Sequence, residues 1–174
     1  MPRATKILIA GIGNIFLGDD AFGVEVAREM VGRGLPESVK VRDFGIRGYD
    51  LAYALAAGYQ AAVLVDATPQ GKPPGTVCLV EPDLERIRGL PETAADAHGL
   101  DPVRVMRLAA TLGELPERVY LVGCEPAVLE NDDGRFGLSA PVRAAVPDAV
   151  RLIESLVGKL LTEDQTTKPG LVPV

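Results

Sequence analysis

The stretch Lys6–Gly23, KILIAGIGNIFLGDDAFG, restricts the possible fold more than any other part of the chain. Lys6-Ile7-Leu8-Ile9-Ala10 is a short apolar run of the kind that forms a strand buried on both faces. Gly11 and Gly13 lack a Cβ and let the backbone turn sharply after it, and Asn14 tolerates an unusual dihedral there. Asp19 and Asp20 follow, directly before Ala21-Phe22-Gly23-Val24-Glu25-Val26, where a helical period begins. A strand therefore delivers two carboxylates to the positive end of a helix. That junction lies at the carboxyl edge of a sheet, where open α/β sheets hold ligands.

The rest of the chain repeats the alternation. Val24–Val31 has apolar residues at Val26, Ala27, Met30 and Val31, a helical stripe that Gly32, Gly34 and Pro36 bring to an end. Val39–Phe44 alternates apolar and polar residues, as a strand nearer a sheet edge does, and the turn Gly45-Ile46-Arg47-Gly48 follows. A short helix over Tyr49–Ala57 turns Leu51 and Leu55 inward. Ala61-Ala62-Val63-Leu64-Val65 reads as the central strand, ended by Asp66. The Pro- and Gly-rich loop Pro69–Gly75 leads to a strand over Thr76–Val80, while Glu81–Ala97 shows little periodicity. Asp101-Pro102 is a helix start, with Val105, Met106, Ala109 and Leu112 as its apolar stripe. Arg118–Gly123 is the last strand, and Ser139 caps a closing helix that continues past Pro147 through Val150, Ile153, Leu156, Val157 and Leu160.

This pattern predicts one α/β domain over residues 1–161, a three-layer α/β/α arrangement with a flexible tail over 162–174. Its sheet is expected to be twisted and mostly parallel, with about five strands and helices on both faces. The net charge of −6 and the scattered Lys and Arg argue against a nucleic-acid surface. No apolar run approaches the ~20 residues needed to cross a bilayer, and Met1–Thr5 leads straight into the first strand without a signal segment. Cys78 and Cys124 stand apart in apolar segments and read as buried core thiols. A cytoplasmic monomer is the expectation.

Asp20 after the first strand, Asp66 at the end of the central one, and His98, the single histidine, can meet at one carboxyl edge. Two carboxylates and an imidazole with open positions suit a divalent cation such as Ni²⁺ or Zn²⁺. Each residue also has a plainer reading: Asp20 at a helix N-terminus, Asp66 accepting loop amides, His98 as a loop histidine. Asp19 reads as the structural partner of the pair, solvated or capping. Asp43, Arg47, Glu125 and Glu130 lie at strand or loop ends, where structural or solvated roles come first. The third glycine of a dinucleotide fingerprint is missing, as are a phosphate loop and a G-x-S-x-G elbow. A serine hydrolase built on Ser139 and His98 is a weaker reading than Ser139 as a cap. A non-catalytic α/β module that binds a metal or small ligand is the competing class.

GIGNIFLGDDAFGVEVA resembles the N-terminal motif of the nickel–iron hydrogenase maturation endopeptidases. Asp43–Gly48 resembles that family's second, D-G-G-T-x-G-type segment, although Phe44-Gly45-Ile46-Arg47 lacks its usual Gly and Thr. Val63–Ala67 resembles the strand ending in its second metal-binding acid, and Ala97-His98-Gly99-Leu100 its H-x-L-type segment. Leu121-Val122-Gly123, Glu125-Pro126 and Leu138-Ser139 resemble later landmarks. The resemblance implies an endopeptidase that removes the C-terminal extension of a nickel-loaded hydrogenase large-subunit precursor. It implies nickel contacts from Asp20, Asp66 and His98, with the nickel carried by the precursor; Zn²⁺ or Cd²⁺ suit the same donors. Asp43, Gly45 and Gly48 would contact substrate. Hydrolysis has two readings: a water activated by Asp20 or Asp66 or polarised by the metal, and an aspartic-type reaction of the acidic pair.

Overall fold

A computed structural model describes residues 5–90, 101–129 and 136–166. Its five strands form one sheet in the order β2-β1-β3-β5-β4. They are β1 (Ile7–Ile12), β2 (Val39–Gly45), β3 (Ala61–Ala67), β4 (Val77–Val80) and β5 (Arg118–Cys124). The first, second, third and fifth run parallel, and β4 adds an antiparallel edge to β5. The α/β layering and the mostly parallel five-stranded sheet are as the sequence pattern predicts.

Burial explains the strand order. Every residue of β1 and β3 is buried, as continuous apolar runs require when helices cover both faces. The half-exposed β2 and β4 take the edges. Alternate side chains of β1 and β3 then feed two separate cores. Ile7, Ile9, Val63 and Val65 pack with Val26 and Met30 of α1 (Phe22–Met30) and with Val150 and Ile153 of α5 (Ala140–Thr166). Leu8, Ala10, Ala62 and Leu64 pack on the other face. Their partners are Leu51 and Leu55 of α2 (Gly48–Leu55), Ile87 of α3 (Leu84–Arg88), and Met106 and Ala109 of α4 (Pro102–Leu112).

Several local expectations change. Asp66 does not end its strand; β3 runs on to Ala67, so the carboxylate is carried inside the ladder, opposite Gly123. The weakly periodic stretch after Glu81 contains α3, started by the Asp83 carboxylate accepting from the Arg86 amide at 3.0 Å. Val31 and Leu112 are exposed at helix ends rather than part of the apolar stripes. Cys124 is buried, but Cys78 is only half-buried because it sits on the edge strand. Helix α5 continues to Thr166, past the boundary expected at 161. Asp101 caps α4 through the Val103 amide at 2.9 Å with Pro102 in the first turn, as its sequence predicts. Among the described residues, no helix is long and apolar enough to cross a membrane.

Candidate active site at the carboxyl edge

Because β1, β2, β3 and β5 are parallel, the loops that leave them gather at one rim. After β1 the chain turns at Gly13, whose φ is +142° and where a Cβ would fall 1.7 Å from the Asp20 carbonyl oxygen. Only glycine fits this crossing. The chain then forms a 3-10 turn over Gly18–Ala21 before α1. Gly23, in the first turn of α1, lies so close to the sheet that a Cβ would stand 2.0 Å from the Val65 carbonyl oxygen and 2.3 Å from that of Ile12. The absence of a side chain at Gly23 therefore presses the Asp20 turn against the strand that carries Asp66.

The two acids are held differently. Asp20 is half-buried and accepts the Asn14 amide on Oδ2 at 2.8 Å. Asp66 is 7% exposed, and its carboxyl is pushed up from 3.8 to about 8. Burial is the largest cause, followed by the negative charge of Asp20; a backbone hydrogen bond from Ala67 opposes the rise, and the charge of Asp101 adds to it. Two carboxyls that sense each other in a desolvated rim form a site ready for a cation or for acid–base work. The structure thus brings Asp20 and Asp66 together electrostatically. His98 lies outside the described residues, and so does Glu130. Among the described residues, no group of three His, Cys, Asp or Glu side chains is arranged to hold a metal ion.

The second loop borders the first. Gly45 pairs with Ile12 beyond a register shift, and the Gly13 amide donates to the Gly45 carbonyl at 3.0 Å. Asp43 and Gly48 flank this loop; Asp43 is exposed, 3.9 Å from Arg28, and its carbonyl accepts from Arg47. Arg47 also donates from Nε to the Phe44 carbonyl at 3.1 Å and lies 3.6 Å from Asp50, so it braces its own turn.

Asp19 is the structural member of the pair, as its sequence reading has it, but it is neither solvated nor a helix cap. Its carboxylate is fully buried and accepts from Ala127 N and Val128 N, each at 2.8 Å, Ser139 N at 2.7 Å and Ser139 Oγ at 2.9 Å. Glu125, 7% exposed, accepts the Gln70 amide at 2.7 Å and the Gly71 amide at 3.2 Å. It thereby clamps the loop that follows Asp66, the structural role its position suggests. The charge of Asp101 on Asp66 escaped sequence reasoning, as did Ser139 as a partner of Asp19. The one signal for the latter is that adjacent acids in a tight turn cannot both face one cleft. Cys124 is no nucleophile at neutral pH: burial pushes its thiol up to about 11, with the Asp19 charge as the next cause.

Comparison with known proteins agrees with this geometry. The profile of the family described as hydrogenase maturation protease (HycI) matches residues 24–156. The hydrogenase expression/formation protein HupD of Rhizobium leguminosarum bv. viciae is 33% identical over 151 residues, which cover 86% of this chain and 72% of that protein. The hydrogenase 2 maturation peptidase of a Thaumarchaeota archaeon superposes with a TM-score of 0.68 at 31% identity, covering 88% of this chain and 98% of that one. The NiFe hydrogenase maturation protease HycI of Thermococcus kodakarensis KOD1 gives a TM-score of 0.64 at 26% identity, with 91% and 93% of the two chains covered. The chain belongs to the hydrogenase maturation protease family and is a peptidase.

Proposed function

We propose that this peptidase removes the C-terminal extension from the nickel-loaded large-subunit precursor of a nickel–iron hydrogenase. In this reading the nickel is carried by the precursor and engaged by Asp20, Asp66 and His98. The observation that carries it is the buried Asp66 carboxyl, raised by burial and by the Asp20 charge. Such a pair is costly while empty and is relieved when a cation lies between the two acids. A precursor without its metal would lack that bridge, so cleavage would wait for metal insertion.

Chain connectivity supports the third ligand. Asp101 reaches Asp66 electrostatically, and His98 precedes Asp101 by three residues in the sequence. Asp43, Gly45 and Gly48 border the same rim and would meet the substrate backbone beside the scissile bond. With the precursor's metal engaged, Asp66 would give up its proton to act as a ligand, and Asp20 or Asp66 would then serve as base for a water on the rim. The metal bound with the precursor would supply Lewis-acid polarisation and alignment. The two unpaired cysteines fit a reducing compartment, and we place the reaction in the cytoplasm.

The test is the mass of a co-produced large subunit, with and without this protein. Loss of the C-terminal extension only with the protein present is expected. Asp20→Asn, Asp66→Asn and His98→Ala should each abolish it, and nickel-free precursor should stay intact. Full cleavage by all three variants would refute the ligand set; full cleavage of the nickel-free precursor would refute the gating.

A further inference from the structure

We propose that Asp19 is a positioning residue for the peptidase reaction: its buried carboxylate locks the turn that presents Asp20 to Asp66. This rests on the reading of Asp20 as a working residue given above. The lock has five hydrogen bonds. Four enter the carboxylate, from Ala127 N, Val128 N, Ser139 N and Ser139 Oγ. The fifth runs the other way, from Asp19 N to the Val128 carbonyl at 2.8 Å. Together they join the turn after β1 to the segment after β5 and to the residue immediately before α5.

The chemistry explains why the residue is an acid. Four donors converge on one side chain, and only a carboxylate has enough lone pairs on two oxygens to accept them all. An asparagine has one acceptor oxygen, so its NH₂ would face N–H or O–H donors. The geometry explains why the lock acts on Asp20. In a 3-10 turn, with three residues per turn, successive side chains point about 120° apart. With Asp19 directed at Ala127, Val128 and Ser139, Asp20 is directed elsewhere, to the Asn14 amide at 2.8 Å, in a turn whose Asp20 charge acts on Asp66. The Gly18 backbone, at φ +54°, passes so near the Val128 carbonyl that a Cβ would stand 2.9 Å from it, so the turn has little room to rotate.

The test uses Asp19→Asn together with Ser139→Ala and Ser139→Thr in the full chain. The first readout needs no substrate: hydrogen exchange of the Asn14 amide, which reports the Asp20 contact. Its protection should fall at least about tenfold in Asp19→Asn and several-fold in Ser139→Ala, while amides of Val63 and Leu64 keep theirs. Ser139→Thr, which retains the hydroxyl, should restore protection. The second readout is precursor cleavage per folded molecule. Here kcat should fall about 10–100-fold in Asp19→Asn with KM changed little, because supporting contacts of this kind act on placement. Unchanged Asn14 protection in Ser139→Ala would overturn the proposal, even if Asp19→Asn does not fold. So would a normal kcat in folded Asp19→Asn. If the wild type leaves the precursor intact, the proposed function fails, while the exchange data still decide the role of Asp19.

Discussion

Replacing Asp66 with asparagine should make the protein more stable as it destroys its activity, and the gain should grow with pH. In the unfolded chain this carboxyl ionises near 3.8; in the fold it keeps its proton to about 8. Between these values the native state binds one proton more than the unfolded state, so stability must fall as pH rises. Below about pH 4 the residue costs nothing by this route, and above about pH 8 the cost is complete and constant. At about 1.4 kcal/mol per pH unit, the climb from 3.8 to about 8 sets a ceiling of about 6 kcal/mol. Water at the 7% of the residue still exposed, and small movements away from Asp20, bring the expected gain to roughly 2–3 kcal/mol. Asparagine has the same shape and no charge to desolvate. Urea denaturation at pH 5 and pH 8.5 measures the effect. With a slope of about 2 kcal/mol per molar, the variant's midpoint should exceed the wild type's by about 1 M or more at pH 8.5, and by much less at pH 5. Wild-type and variant midpoints that run parallel between the two pH values would refute the argument, because other titrating groups are common to both.

Other perturbations reach different parts of the same rim. Gly23→Ala should destabilise by about 3 kcal/mol or more, since its methyl would overlap the Val65 and Ile12 carbonyl oxygens and only backbone movement relieves it; chemical denaturation reads the loss. Glu125→Gln leaves one acceptor oxygen for the Gln70 and Gly71 amides, so a loss of about 1–3 kcal/mol is expected, with faster proteolysis in the Pro69–Gly75 loop. Asp101→Ala removes the cap on Val103, a loss of about 1 kcal/mol, and also removes a charge that raises Asp66. In that variant the pH at which Asp66 titrates, followed by carboxyl NMR, should move down; an unchanged or higher value would contradict the assignment.

What was readable in the sequence follows from how far each signal reaches along the chain. The β1 run, its glycines and the acid pair are neighbours in sequence, so local pattern was enough to place Asp20 after a strand and before a helix. Asp66 was found because an all-apolar run must be a central strand, although such a run does not say where the strand stops. The Asp101 cap is a two-residue motif and was equally plain. The partners of Asp19 lie 108 to 120 residues away, and no period or cap motif spans that distance. The antiparallel direction of β4 is likewise set by the return of the chain through the Pro69–Gly75 loop and by pairing with β5, neither of which strand propensity encodes.

The tight contact at Gly23 bears on how such a site could change over evolutionary time. Three residues beyond Asp20 and directly across from the residue before Asp66, the chain contains no atom that could be trimmed to bring the helix nearer the sheet. Bulk can only be added, and adding it wedges the layers apart. The distance between α1 and the sheet at this point is thus already at its floor. Descendants could enlarge the surrounding loops while this innermost spacing between helix and sheet stayed put, which separates the shape of the rim from the depth at which the first helix rests on the strands.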